Sequence, residues 1–379
     1  MRKSLNKSGI FLTVWDINLK SQSNHLGIIN SMIRETRGNL LEAPAEALVN
    51  TVNTKGIMGK GIALQFRQAF PAMFRDYERA CKEERVMLGK MDVHDLGGLV
   101  GGPRWIINFP TKGHWKANSR LADVETGLKD LIAEIRHLGI KSIAVPPLGC
   151  GNGGLPWCEV KPLIEQAFAE IPEVEVLLFA PVETPQAVAM PNRTEKPKMT
   201  EGQAALVSLM DRYLKGLLDP IVTLLEVHKL MYFLQAAGQP LRLDFEAKQR
   251  GPFAVNLRHV LIRMESHYTS GYGDGQDAPD VPIDLLPHAV EDAEAVLHGN
   301  EVIAEKMDRV AQLIEGYEDS YGMELLSSVH WVMTHQEQAK EDKAFATEAV
   351  LSWNADKRKR LKSEHLDKAW DRLKVQGWA

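Results

Sequence analysis

Two glycine-rich stretches carry the densest chemical information in the sequence. The first runs Val49-Asn50-Thr51-Val52-Asn53-Thr54-Lys55-Gly56-Ile57-Met58-Gly59-Lys60-Gly61-Ile62-Ala63. The second runs Val145-Pro146-Pro147-Leu148-Gly149-Cys150-Gly151-Asn152-Gly153-Gly154-Leu155-Pro156-Trp157. Each follows an apolar run and precedes a helical pattern. Glycines at such a junction let the backbone turn sharply and approach a ligand, and the opening turn of a helix offers unpaired N–H groups and a positive dipole end. Both stretches are therefore read as anion cradles. The first lacks the Gly-Lys-Ser/Thr ending of a Walker A motif. In the second, Gly149, Gly151 and Gly154 match GxGxxG by count, yet only one strand follows, too little for a dinucleotide-binding domain. Two such loops at the ends of parallel strands can clasp one pyrophosphate, each supplying N–H donors. The candidate cradle residues are Gly56, Met58, Gly59 and Gly61, with Leu148, Gly149, Cys150, Gly151, Asn152, Gly153, Gly154 and Leu155. Cys150 has a nucleophile's chemistry, but no His/Asn partner pattern accompanies it and a small thiol packs well in a tight turn; the structural reading is favoured.

A third element, Asn108-Phe109-Pro110-Thr111-Lys112-Gly113-His114-Trp115, leaves an apolar strand. A lysine shielded by protein near other cations loses part of its pKa and can serve as nucleophile or proton donor. A surface lysine beside a phosphate is the plainer reading of Lys112 from the residue alone. Trp115 can stack on a base, with packing an equal alternative, and His114 as a lone histidine has a weak claim to acid catalysis. Trp157 is read as a helix-packing residue. The histidines and cysteines show no HExxH or zinc-ligand spacing, so no metal is expected, nor any other cofactor.

These loops need a sheet to hold them. From Ile33 to Ala180, strand-like runs alternate with amphipathic stretches: Ala47–Asn50, Gly61–Lys82, Trp105–Phe109, Leu121–Leu138, Ser142–Val145, Val160–Glu170 and Val174–Ala180. Strands separated by helix-length segments need crossover connections, hence a mainly parallel sheet covered on both faces, with ligands beyond the strands' carboxyl ends. Pro181–Thr200, with four prolines among polar residues, reads as a linker. Beyond it Gln203–Leu218, Thr223–Ala237, Phe253–Ser266, Glu301–Glu315, Met323–Gln338 and Leu361–Val375 read as helices, with Pro252 suited to a first helical position. The expected organisation is an N-terminal extension at 1–31, an α/β domain at 32–181, a linker at 182–200 and a helical domain at 201–379.

Composition sets outer bounds. A chain of 379 residues with 44% hydrophobic and 25% charged residues can build two ordinary cores. The net charge of −5 gives no general attraction for phosphate backbones, so any nucleic-acid contact must be local. Cys81, Cys150 and Cys158 form no CxxC pair, which suits the reducing cytoplasm, and no run reaches membrane-spanning length. Between Glu265 and Ser328 stand fifteen Asp/Glu against Lys306 and Arg309, a local acidic field. Such a run is usually a solvated face. Lys357-Arg358-Lys359-Arg360 with Lys362 is likewise read as a solubilising face of the last helix, with DNA contact as the alternative.

Ala47-Leu-Val-Asn-Thr-Val-Asn53, Gly56-Ile-Met-Gly-Lys-Gly-Ile-Ala-Leu-Gln-Phe66 and Pro147-Leu-Gly-Cys-Gly-Asn-Gly-Gly-Leu155 together resemble a macrodomain, and more narrowly the DarG-type macrodomain antitoxins. The strong match covers about Ile33–Pro181. The resemblance implies a three-layer α/β/α macrodomain with a mainly parallel mixed sheet, followed by a mostly α-helical C-terminal domain. It implies an ADP-ribosyl glycohydrolase that removes ADP-ribose from thymidine in single-stranded DNA and neutralises a DarT-type ADP-ribosyltransferase toxin. The C-terminal domain would bind that toxin, its acidic surface imitating phosphate charge. Glu226–Gln235 with Lys248–Phe253 is similar, more loosely, to a helical domain of other antitoxins. By the same resemblance Asn53 holds the distal ribose, Lys112 acts on it as nucleophile or general acid, Thr111 lies beside it, and Asn39 with Leu40 meets the adenine. Two departures stand out: Asn39 replaces the usual aspartate, and Gly153 replaces the loop aspartate of hydrolases acting on glutamate-linked ADP-ribose. The competing readings are a non-catalytic ADP-ribose reader and a hydrolase of modified protein carboxylates.

Overall fold

The computed structural model describes residues 33–98, 102–181, 190–216, 221–273 and 277–378. The expected extension at 1–31 and the linker stretch 182–189 lie outside the described residues. By packing, the described residues divide into two compact units: those within 33–56 and 77–181, and those within 57–76 and 190–378.

The first unit is built on a six-stranded sheet of β1 (Ile33–Thr36), β2 (Ala47–Asn53), β3 (Asp92–Asp95), β4 (Trp105–Lys112), β5 (Ser142–Val145) and β6 (Glu175–Phe179), in the order β1-β6-β5-β2-β4-β3. Every neighbouring pair is parallel except β3 with β4. This is the mainly parallel mixed sheet that the sequence predicts. Its inner strands β2, β4, β5 and β6 are largely buried because both faces are covered, whereas the edge strands β1 and β3 are polar and partly exposed. Helix α3 (Leu121–Leu138) lays Val124, Leu128, Leu131 and Ile135 against Val49, Ile107 and Phe109, and ends on Gly139 in the left-handed conformation. Gly127 lets that helix close onto β4, since a Cβ there would stand 2.3 Å from the Phe109 ring. Helix α4 (Trp157–Phe168) opens after Pro156 and completes the same layer.

The expected single helix Gly61–Lys82 is two: α1 (Gly61–Ala69) and α2 (Pro71–Lys82). Phe70 leaves helical geometry at φ −132° and ψ 67° because a residue before proline is forced out of the α region.

The second unit holds α5 (Glu201–Lys215), α6 (Leu224–Ala236), a ribbon of β7 (Phe245–Lys248) and β8 (Gly251–Ala254), α7 (Leu257–Met264), the short strands β9 (Thr269–Ser270) and β10 (Asp284–Leu285), α8 (Ala289–Leu297), α9 (Glu301–Ile314), α10 (Ser320–His335), α11 (Gln338–Glu341), α12 (Lys343–Leu351), α13 (Ala355–Arg360) and α14 (Ser363–Val375). It is mostly helical, as expected. α6 and α10 are buried around most of their circumference, so the core forms around them. Pro252 does not start a helix. Gly251, at φ +97°, turns the chain into β8, and a two-stranded ribbon leaves edges where a proline needs no donor.

The basic cluster is corrected in part: Arg358, Lys359 and Lys362 are exposed as expected, but Lys357 and Arg360 turn inward. Lys357 is fully buried, bonding Glu324 Oε1 at 2.7 Å and Ser328 Oγ at 2.8 Å, and Arg360 grips both Glu324 oxygens at 2.9 and 2.8 Å. These charges fasten α13 to α10 rather than face solvent. Glu265 and Glu324 are likewise buried members of the acidic field, while Glu291, Glu294, Glu301, Glu305 and Asp308 remain exposed.

Candidate functional site

The connection leaving β2 leads toward β3 and β4, whereas that leaving β5 leads to β6 on the opposite side. Adjacent parallel strands whose chains depart in opposite directions open a crevice at their carboxyl ends. β5 pairs with β2 only over Ala47–Leu48, so the two strands part company above that point. Asn53 ends one strand at this crevice, and the second glycine loop leaves the other.

β2 and β4 are locked from below by side chains. Asn50, directly opposite Asn108, donates to it at 2.9 Å, and Asn108 donates to Asp92 at 2.9 Å, so one buried amide ladder ties three strands. Above it the register slips. Val52 faces Pro110, but Asn53 faces Lys112, leaving Thr111 as an extra residue on β4. Pro110, which has no N–H to give a ladder, lies at this irregularity and beyond the last residue that β3 pairs. The bulge re-aims the end of the strand. Thr54 N–H donates to the Lys112 carbonyl at 3.2 Å and Thr54 Oγ1 to the Gly113 carbonyl at 2.8 Å. Asn53 and Lys112 are thereby held side by side. The half-buried Lys112 sends its ammonium to the Asn152 carbonyl in the second glycine loop, at 3.0 Å. Thr111 is buried beneath them, 3.4 Å from the Val52 carbonyl.

The second loop closes on itself. Cys150 N–H donates to Pro147, Gly154 N–H to Gly151 and Leu155 N–H to Gly149, at 3.0–3.1 Å. Gly149 and Gly154 take positive φ, +71° and +76°, where a side chain would be strained. Leu148 is fully buried under the loop, whereas Gly151 and Asn152 are exposed. Burial pushes the Cys150 thiol up to about 11, with Cys158 adding to the effect, so it remains a protonated packing group.

Gly153 has a steric cause that sequence reasoning missed. Its carbonyl accepts from Ser119 N–H at 2.9 Å, and a Cβ built on it would stand 2.3 Å from Ser119 Oγ and 2.4 Å from the Gly149 carbonyl oxygen. No carboxylate can be placed there without moving backbone. Gly153→Asp is therefore expected to destabilise the first unit by about 1–3 kcal/mol in urea unfolding, the scale of overpacking a tight site, and an unchanged midpoint would show the loop to be more yielding than this geometry allows.

Asn39 caps the short turn Leu40–Glu42, its Oδ1 accepting from Leu41 N–H at 3.1 Å, and Leu40 is buried behind it. The carboxamide's Nδ2 is buried with no hydrogen-bond partner. The polar atom left to meet a ligand is thus a donor, where an aspartate would offer only acceptors. Gly56 turns the chain at φ +78°. Met58, Gly59 and Gly61 follow it but pack within the second unit: Met58 is fully buried, the Gly59 carbonyl lies 2.7 Å from where a Gly273 Cβ would stand, and Gly61 opens α1 at φ +55°. His114 and Trp115 stack on each other with centroids 5.5 Å apart, and Trp157 packs on the core.

A family model described as Macro domain matches residues 49–164. A protein of Thermus aquaticus named DNA ADP-ribosyl glycohydrolase is 46% identical over 346 residues, covering 91% of this chain and 94% of that one. A Mycobacterium tuberculosis protein of the same name is 44% identical over 354 residues, covering 90% of this chain and 99% of its own length. A Thermosipho africanus protein named as a fusion of DNA ADP-ribosyl transferase and DNA ADP-ribosyl glycohydrolase is 34% identical over 160 residues, covering 38% of this chain and 41% of that one. With both glycine loops, the Asn53–Lys112 pair and the helical unit inside one nearly full-length match, the chain belongs to the DNA ADP-ribosyl glycohydrolase family, the DarG-type macrodomain proteins.

Proposed function

We propose that this protein removes ADP-ribose from ADP-ribosylated thymidine in single-stranded DNA, and that its helical domain binds and neutralises a DarT-type ADP-ribosyltransferase toxin. One observation carries the catalytic half: a β-bulge sets Lys112 beside Asn53 and sends its ammonium across the crevice to the second glycine loop. In this reading the N–H groups of the second glycine loop hold the pyrophosphate, Asn39 Nδ2 donates to an acceptor on the adenine, and Leu40 supports the ring. Asn53 orients the distal ribose. Water adds at C1″ as the bond to the base breaks, and Lys112 supplies the proton that the departing base takes up and regains one from the water. Alternatively the ammonium first passes its proton to the departing base, the neutral amine bonds to C1″ as the bond to the base breaks, and water then displaces the amine and returns a proton to it. Fixed placement of these groups favours an oxocarbenium-like transition state without reorganisation.

The names of the family's members support the substrate, and the fusion of a DNA ADP-ribosyl transferase to a glycohydrolase in Thermosipho africanus supports the toxin as partner. The exposed carboxylates Glu291, Glu294, Glu301, Glu305 and Asp308 give the helical unit a surface suited to a cationic DNA groove. We assign the macrodomain to 32–181, the linker to 182–200, the toxin-binding domain to 201–379 and the site of action to the cytoplasm. Among the described residues no helix is long and apolar enough to cross a membrane.

Incubation of the full chain with an ADP-ribosylated thymidine oligonucleotide should release free ADP-ribose and regenerate unmodified DNA, both read by mass spectrometry. Intact substrate, together with no calorimetric heat from ADP-ribose, would remove this function. The full chain should co-elute with a catalytically inactive toxin, and failure to do so at low salt would remove the partner.

A further inference from the structure

Below the exit of β2, a buried tyrosine hydroxyl is tied to the backbone of the residue assigned to the ribose. Tyr77 lies on α2 and is 1% exposed, and its hydroxyl donates to the Asn53 carbonyl oxygen at 2.5 Å. Asn53 is held a second time through its side chain, whose Oδ1 accepts from Lys55 N–H at 2.8 Å. The third fixed point is Gly56. Its left-handed turn presses against α2 so closely that a Cβ there would lie 3.4 Å from Cys81 Cβ and 3.6 Å from the Glu78 backbone. The whole turn 53–56 is therefore moulded onto one face of this helix, and the Tyr77 hydroxyl is the polar group of that face which reaches Asn53.

A phenylalanine would fill the same ring space without burying a hydroxyl, which costs free energy unless bonded. Burial, with Cys81 beside it, pushes Tyr77 ionisation well above the ordinary tyrosine range, against backbone hydrogen bonds with Asn53 and Gly56. The phenol stays protonated at every working pH and remains a donor. Its target is a main-chain oxygen one residue's width from the carboxamide that must meet a sugar. Small errors there are amplified, since misplacement by about 1 Å can lower a rate about 100-fold.

We propose that Tyr77 is a positioning residue of the hydrolase site, fixing the Asn53 main chain so that its carboxamide presents the ribose to Lys112. This rests on the ADP-ribosyl hydrolase reading of the site. Tyr77 touches no ligand in this scheme. The test compares full-length wild type, Tyr77→Phe and Ala80→Gly, the last a change on the same buried helix face that loosens α2 but removes no bond to Asn53. Thermal unfolding is recorded with kcat and KM on ADP-ribosylated single-stranded DNA. Tyr77→Phe should lower kcat about tenfold, a loss of about 1.4 kcal/mol in transition-state stabilisation, with KM within about threefold of wild type, while Ala80→Gly keeps its kcat. Equal kcat in Tyr77→Phe and wild type would overturn the proposal and leave the hydrolase reading standing. An equal fall in both variants would also overturn it, because stability alone would then account for the loss. Absence of turnover and of ADP-ribose binding in wild type would instead overturn the hydrolase reading itself, and this inference with it.

Discussion

Lys112→Ala is expected to keep ADP-ribose binding within a few-fold of wild type yet lower release of ADP-ribose from modified DNA by at least about 100-fold, the usual reach of a general acid–base group. The expectation rests on where the bulge places the side chain. Its backbone is pinned by Thr54, its ammonium lies 3.0 Å from the Asn152 carbonyl, and its neighbour in the β2–β4 register is Asn53. A group that acts only as bonds break should lower kcat and kcat/KM together, whereas a phosphate-steering lysine should mainly raise KM. Lys112→Arg separates the roles further. Guanidinium preserves charge but neither gives up a proton nor forms a covalent bond to C1″ at working pH, so this variant should be nearly as inactive as alanine. If arginine kept more than about a tenth of the rate, electrostatic steering would explain Lys112 and its assignment as acid or nucleophile would fall.

What could be read from the sequence was local. Glycine spacing, flanking apolar runs and the strand–loop–helix order mark both cradles, because backbone freedom and hydropathy are properties of neighbouring residues. The same locality hid the rest. The slip between Val52 and Asn53 exists only in the pairing of β2 with β4, which neither strand reveals alone. Ser119 lies far in sequence from Gly153 yet excludes a side chain there. Tyr77 looks like one more aromatic on an amphipathic helix. A tyrosine on an otherwise apolar helix face hints that its hydroxyl has a partner, but only the tertiary fold shows that the partner is Asn53. Charge counting failed for a related reason. Lys357–Arg360 resembles a solvated basic run, and Glu324 one acid among fifteen, until the fold buries Lys357 and Glu324 against each other.

That buried cluster supports the largest stability effect expected in the molecule. Glu324 on α10 is fully buried and receives Lys357 and Arg360 from α13 and Arg250 from the β7–β8 turn. The cations hold its carboxyl below the usual range despite burial, which alone would raise it. Glu324→Leu would leave Lys357 buried without its counter-ion and should cost about 3–5 kcal/mol, the scale for breaking one side of a buried pair. Urea unfolding followed by tryptophan fluorescence measures it, and a cost below about 1 kcal/mol would mean that the cluster opens to water. A pH dependence accompanies it. Lys229 on α6 donates to the Pro252 carbonyl at 2.7 Å, and burial, then the charge of Lys357, pushes it down to about 7, while Glu324 and Glu226 pull the other way. Above that pH the folded state has released a proton that the unfolded chain still holds, so stability rises with pH up to the ordinary lysine range near 10.4. Between pH 7 and 8.5 the gain should be about 1.5 kcal/mol. His228 and His330, held neutral by burial at about 3 and about 4, complete their own effect near the ordinary histidine value and add little in this window. The raised thiols of Cys81 and Cys150 oppose the trend only as pH passes the ordinary cysteine value near 8.5. Lys229→Met should flatten the wild-type slope over the same window, and a wild-type midpoint that stays level or falls from pH 7 to 8.5 would show that Lys229 keeps its proton in the folded core.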